Sequence, residues 1–381
     1  MHQKSQTRLD AMAIVWNQTV TFLFVTLQPL LVGALVDQTH VGLAAAGRVL
    51  SANMFGCFLG SLLTIWMLRH VNVKLLVASG TTLLVAGGVL AGLTVSSPSA
   101  FFAAYAIAGI GVGIAMSSGS ACASAFDKPD RLFASIMIAQ TVVGSLLMLI
   151  GGDLLRSLGL GGALIALSAL GATQLLLLSR FVEPPAAMQR GVSIDAAGRL
   201  ALPVLVSFCL FYVANSGVYA NFERLAHVAG LTDPWIGPVL AFSQVFGIVG
   251  AVIASWLSVR LDRRTAIFMA CVLIAVATFA LALAHGTILF ASSLALFIAA
   301  ISVAVPFYFG ALADGDPTGR AVVLGQLAML LGFALGPGAA GAIAEAVSLS
   351  AMCFAACGVF LLALLVAMTM RHAGGRATMS K

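Results

Sequence analysis

Charge is scarce in this chain. Only 8% of its 381 residues are Asp, Glu, Lys or Arg, against roughly 25% in a soluble domain. So few charges cannot cover a water-facing surface, which excludes an ordinary soluble globular protein. Motifs that carry chemistry are missing too. No Gly-x-x-x-x-Gly-Lys-Ser/Thr loop is present to cradle ATP phosphates, so pumping by hydrolysis is not expected. The six cysteines, Cys57, Cys122, Cys209, Cys271, Cys353 and Cys357, show no metal-ligand spacing with histidine. They sit in apolar runs, where a small polarisable side chain packs well. The expectation is no enzyme, no metal and no cofactor.

What the chain has instead is apolar length. The apolar set makes up 61% of the residues, in runs such as 75–95, 266–283 and 352–368. About 20 such residues carry a helix across the hydrocarbon layer. Spans are expected at 11–36, 41–68, 75–95, 100–126, 132–154, 161–182, 200–226, 235–259, 265–284, 287–312, 321–344 and 350–370. The first is too long for a signal-peptide core of roughly 7–15 residues. The expected fold is an all-α membrane protein of 12 transmembrane helices in two six-helix, pseudo-symmetric bundles.

The formal net charge of +6 invites a nucleic-acid partner, but the placement of the charges argues otherwise. All but three of the 19 Lys and Arg residues fall at alternate breaks, near 69–74, 126–131, 183–199, 260–264 and 314–320, and toward the two ends. The exceptions are Arg48, Arg156 and Arg224. Basic residues flank cytoplasmic span ends, so both termini are expected in the cytoplasm, in the inner membrane of a bacterium. The segment 183–199 holds Pro184, Pro185, Gly191 and Gly198 and reads as a cytoplasmic linker between bundles at 1–182 and 200–381. An offset of 190 residues lays Gly47, Val49 and Leu50 over Gly237, Val239 and Leu240. It also lays Gly60 over Gly250, Trp66 over Trp256, Asn72-Val73-Lys74 over Asp262-Arg263-Arg264, and Gly151 over Gly341. Two halves repeated in one orientation are a transporter architecture.

Six plus six spans, a central linker and a basic loop after spans two and eight resemble the major facilitator superfamily. The resemblance covers the whole chain, with degenerate motifs. The family's loop runs Gly-x-x-x-Asp-Arg-x-Gly-Arg-Arg; here the second copy ends Val259-Arg260-Leu261-Asp262-Arg263-Arg264, with Val259 in place of the acid. Asp262, and Asn72 in the first copy, stand where the turn glycine would be. Both types tolerate φ > 0, so the tight turn is expected to survive. The resemblance implies cytoplasmic gate loops built on Arg69, Asn72, Lys74, Arg260, Asp262, Arg263 and Arg264. Gly332, Gly336 and Pro337 in span eleven look like the Gly-x-x-x-Gly-Pro element of exporters, which there belongs to span five. By themselves they read as close helix packing with a proline bend. The exporters' Arg-x-x-Gln-Gly is not kept, since Tyr105 and Ala108 take its polar places.

Polar side chains within a span face the bundle interior or a cavity. In span seven, Tyr212, Asn215, Ser216, Tyr219 and Glu223 follow helical spacing on one face. Glu223 is the leading candidate for proton coupling, with Asp37, since a carboxylate desolvated in a cavity can load and release a proton near neutral pH. A salt bridge of Glu223 with Arg48 or Arg224, or simple exposure at the periplasmic end of the span, is the competing reading. Span one carries Asn17, Thr21 and Gln28, with Pro29 set to bend it. Arg48 either holds an anion or, by nearness in sequence, pairs with Asp37. Gln140, Gln244, Phe307 and Tyr308 complete the substrate-site candidates.

The chain is therefore expected to be a monomeric secondary transporter that moves a small molecule by alternating access. Proton coupling and efflux of small apolar compounds are favoured. Uptake of an organic anion by proton symport is the alternative, and a non-transporting membrane sensor or scaffold is the rival class. The partners expected are the substrate, protons and the bilayer.

Overall fold

The computed structural model describes residues 7–126, 129–182, 197–315 and 320–369. The linker expected at 183–199 lies almost wholly outside them, as do Lys4, Lys128, Arg190, Arg371, Arg376 and Lys381. The described chain is helical throughout. The first span consists of α1 (Arg8–Thr26) and α2 (Gln28–Thr39), followed by α3 (Leu43–Met67), α4 (Val73–Leu93), α5 (Pro98–Ala123) and α6 (Pro129–Ala172). A 3-10 turn, Thr173–Arg180, ends the first half. The second half holds α7 (Ala197–Ala220), α8 (Phe222–Val228), α9 (Asp233–Leu257), α10 (Arg263–Ala282), α11 (Thr287–Gly315), α12 (Arg320–Ala346) and α13 (Leu349–Met368).

Eleven stretches are long and apolar enough to cross a bilayer. The longest of them contains two crossings. α6 has 44 residues, roughly 66 Å at 1.5 Å per residue, twice the hydrocarbon thickness. Gly159 breaks it, at φ 67° and ψ 173°, a backbone conformation open to glycine and strained for other residues. Among the described residues the crossings therefore number twelve. In place of the wide break expected at 153–160, the helix continues to Gly159, carrying Asp153 and Arg156 as an exposed i,i+3 ion pair at 2.5 Å.

Two spans are interrupted, the first at Leu27 and the seventh at Asn221. Pro29 offers no N–H to the turn before it, and α1 gives way to α2 at Leu27. Span seven breaks at Asn221, which no proline announces; the Asn221 amide donates to the Gly217 carbonyl at 2.9 Å.

Within the first half, α5 packs on α1, α3 and α4, and α6 packs on α1 and α4. In the second half, α11 packs on α9 and α10, while α13 packs on α7 and α10. The 190-residue offset is visible in these contacts. A Cβ on Gly60 would overlap the Ile110 carbonyl of α5, and one on Gly250 would overlap the Ala299 carbonyl of α11. Trp66 and Trp256 are both exposed. Asn72 and Asp262 both cap the next helix, accepting from Lys74 N at 2.8 Å and Thr265 N at 3.1 Å. The left-handed turn expected at these two residues is not formed. Their φ values are −59° and −69°, because an N-cap needs extended backbone so that its side chain can reach the first free N–H groups.

Among the described residues the halves meet chiefly along two seams, α3 against α12 and α6 against α9. They occupy equivalent places under the offset. In lipid, such contacts rest on close van der Waals packing and interhelical hydrogen bonds, without the hydrophobic drive that operates in water.

Candidate functional site

A cavity of about 390 Å³ lies between the halves. It is lined from α1, α6, α7, α9, α11 and α12. Its lining in α6 (134–144), α9 (244–251) and α12 (329–333) places it from mid-membrane toward the face with the basic loops 69–74 and 260–264. Phe22, Met137, Ile138, Ile248, Met329 and Phe333 make much of the wall apolar. Tyr212, Asn215 and Tyr219 from α7 meet Gln140 and Thr141 of α6 and Gln244 of α9. The Tyr219 hydroxyl donates to the Thr26 carbonyl at 3.0 Å and accepts from Gln244 Nε2 at 3.4 Å. Gln140 Nε2 donates to the Gln18 carbonyl at 3.2 Å. Asn215 is buried, and its Oδ1 has no hydrogen-bond partner among the described residues. None of the described lining side chains is charged.

The span-seven stripe does not act as one unit. Tyr212, Asn215 and Tyr219 line the cavity, whereas the Ser216 hydroxyl donates to the Gly332 carbonyl at 3.2 Å. Glu223 lies beyond the break at Asn221, on α8, in a cluster on the face away from the basic loops. There its Oε1 meets His227 Nε2 at 2.9 Å, and its Oε2 meets Arg224 Nε at 3.2 Å. Arg224 crosses to the first half, donating to the Gly33 carbonyl at 2.6 Å and pairing with Asp37 at 2.7 Å. His227 also faces Asp233 at 3.6 Å. The Glu223 carboxylate sits where a Cβ on Gly33 would stand, so α2 and α8 touch at this point. Of the two arginines considered for Glu223, the one in contact is Arg224.

Several expected site residues are placed away from the cavity. Asn17 and Thr21 turn into the first bundle, where both donate to Gln174 Oε1, at 2.6 and 3.4 Å. Gln28 is fully buried, neither of its amide atoms has a hydrogen-bond partner among the described residues, and it does not line the cavity. The Tyr308 hydroxyl shares a hydrogen bond with Ser207 Oγ at 2.7 Å inside the second bundle, and Phe307 is buried without lining the cavity. Arg48 does not pair with Asp37, which is taken by Arg224. It is exposed and lines a different groove.

The basic loops serve their own halves in the contacts described. Lys74 Nζ donates to the Ser179 carbonyl at 3.1 Å. Arg263 forms a two-bond pair with Asp314, and Arg264 donates to the Met368 carbonyl at 2.5 Å. Arg260 stacks over Trp256, 4.0 Å from the ring centroid. Arg69 is exposed. Asp314 escapes a reading of the sequence; its signal is that it opens the loop on the same face as Arg263. Thr26, Ile298, Ile301 and Ser302 also line the cavity without having been expected there, and small or apolar residues within a span carry no mark that would distinguish them.

The seams close the far face. Ser51 Oγ accepts from Gly338 N at 2.8 Å, and Glu345 Oε2 accepts from Ala44 N at 2.8 Å, across α3 and α12. Cβ atoms on Gly47 and Gly341 would overlap the carbonyls of Pro337 and Leu43. The span-eleven glycines thus serve two partners, since Gly332 and Gly336 lie equally close to the α7 backbone.

No curated protein sequence matches the chain significantly. Among solved structures, a mutant of the nucleoside transporter NupG is similar over 96% of this chain and 99% of its own, at 16% identity and a TM-score of 0.79. The xylose transporter XylE from E. coli, in an inward-open conformation, is similar over 96% and 97%, at 14% identity and a TM-score of 0.77. The human organic anion transporter MFSD10 (TETRAN) is similar over 96% and 100%, at 17% identity and a TM-score of 0.70. At these identities the likeness is one of fold. The sequence itself matches the profile described as Major Facilitator Superfamily over residues 14–315. With twelve crossings, two offset halves and a cavity between them, this chain belongs to the Major Facilitator Superfamily of membrane transporters.

Proposed function

We propose that this chain is a proton-coupled exporter of small, uncharged, largely apolar molecules, acting as a monomer in the inner membrane of a bacterium with both termini in the cytoplasm. The observation that carries the substrate class is the cavity wall. Rings and aliphatic chains surround a few amides and hydroxyls, and none of the described lining side chains is charged. An ionic substrate would lose its hydration there without an opposite charge in return. Arg48, the group on which an anion reading leaned, lines another groove. The far face is closed by both seams, and the cavity lies toward the basic loops, an arrangement that suits a site loaded from the cytoplasm. Rocking of the halves about that site is the alternating-access step.

Coupling is assigned to Glu223, with Asp37 as its partner through Arg224. Protonating Glu223 removes the negative charge that faces Arg224 and His227 within α8, and so alters the setting of the Arg224 contacts to Gly33 and Asp37 that tie α8 to α2. In proteoliposomes, Glu223→Gln is expected to abolish transport driven by a pH gradient while leaving substrate exchange intact. Uphill transport retained in that variant would sink the coupling assignment. The substrate class is tested by thermal stabilisation, since a ligand of the native state raises its apparent stability. Neutral apolar compounds are expected to raise the melting temperature, and Tyr219→Phe with Asn215→Ala to remove that shift. A rise caused only by anions would overturn the class.

A further inference from the structure

Arg48 occupies a place that the transport reading leaves unexplained. It stands five residues into α3 (Leu43–Met67), about 7 Å from the helix start, on the face away from the basic loops. It is exposed and has no hydrogen-bond or ion-pair partner among the described residues. An arginine at such a depth is costly unless a partner or the interface takes up its charge. Here it borders a groove of about 290 Å³ between α2, α3 and α5, whose wall includes Leu35, Val49, Val95, Phe101 and Phe102. Arg48 is the one charged residue of that wall among the described residues, and no carboxylate lies in it.

We propose that this groove holds an anionic phospholipid from the surrounding leaflet, with its phosphate on the Arg48 guanidinium and an acyl chain against Phe101, Phe102 and Val49. The guanidinium fork matches phosphate oxygens in two-bond geometry, and its aliphatic stem can lie along apolar surface while the head reaches the interface. A chain of hydrocarbon fits the wall, which is mostly apolar; besides Arg48 its described polar side chains are Ser99 and Thr39, whose hydroxyl is already donated to the Leu35 carbonyl. The site also adjoins the tighter seam. Gly47, the preceding residue, lies against the Pro337 carbonyl, and Ser51, less than one turn on, binds Gly338 N. A lipid clamped on Arg48 therefore braces the segment of α3 that meets α12, favouring the state closed on the far face.

The test uses the purified full chain in detergent, read by native mass spectrometry and by thermal melts. The probes are phosphatidylglycerol, phosphatidylcholine with the same acyl chains, and glycerol 3-phosphate alone. Wild type is expected to retain phosphatidylglycerol in preference to phosphatidylcholine. Arg48→Gln should cut that preference about fivefold, as one surface arginine's attraction for an anionic lipid predicts, and Arg48→Lys should keep part of it. Phe102→Trp fills the groove with Arg48 in place and should also lower retention, so the test stands even if Arg48→Gln folds poorly. Equal retention of phosphatidylglycerol by wild type, Arg48→Gln and Phe102→Trp overturns the site. Stabilisation by glycerol 3-phosphate equal to that by the intact lipid overturns the lipid as occupant.

Discussion

The two seams between the halves stand in equivalent positions and are built to different tolerances. At α3–α12, Gly47 and Gly341 bring backbone against backbone with no room for a Cβ, and two hydrogen bonds cross the gap. At α6–α9, a Cβ on Gly237 would stand 3.0 Å from the Met148 carbonyl and 3.2 Å from that of Leu149, which is tight but short of overlap. The repeat has thus given both halves the same glycine, while the neighbours decide how hard each seam closes. The α3–α12 seam is expected to hold the far face shut, with the α6–α9 seam following it.

The most severe way to break this contrast is Gly47→Val. Its side chain collides with the Pro337 carbonyl, and overpacking of this kind costs about 1–3 kcal/mol or more. The expected result is a clear fall in melting temperature together with greater reactivity of a cysteine placed at Ser51 toward a probe added from the far side. Melting and labelling unchanged from wild type would remove the claimed tightness. A middle-sized effect is expected from Glu345→Ala. It strips a carboxylate from the N-terminus of α3, where capping and the helix dipole are worth about 0.5–1 kcal/mol. The same far-side labelling should rise, by less than in Gly47→Val, and Glu345→Gln should recover part of the difference. Gly237→Ala is expected to be mildest, near the bottom of the overpacking range, since two carbonyls need give only a few tenths of an ångström. If Gly237→Ala destabilises more than Gly341→Ala, the ranking of the seams is reversed.

Much of this scaffold is legible in the sequence, because lipid demands long apolar helices and a repeat preserves its packing positions. Gly60 and Gly250, or Asn72 and Asp262, do the same work in each half. The site is less legible. Helical spacing shows which residues share a face, but it does not show what that face meets. Asn17 and Thr21 share a face that meets Gln174 across 157 and 153 residues of chain, so their polarity is spent inside one bundle. Nearness in sequence misleads for Asp37, since a turn separates α2 from α3 and Arg224 arrives from the other half to claim the carboxylate. The stripe on span seven looks continuous because its period takes no account of a helix break. Asn221 divides it, leaving three groups at the cavity and Glu223 in the far-face cluster.

That break has a mechanical consequence. The Tyr219 hydroxyl is bonded to Thr26, and the two residues flank the joints at Asn221 and Leu27 on the cavity side. Beyond the joints, Arg224 ties α8 to α2 through Gly33 and Asp37. Two pivots one bond apart, with a tied pair of short arms above them, make a linkage in which the arms swing together. A rotation confined to Leu27 and Asn221 would turn the far-face ends of spans one and seven as a single flap, while the groups that contact a bound molecule stay where they are.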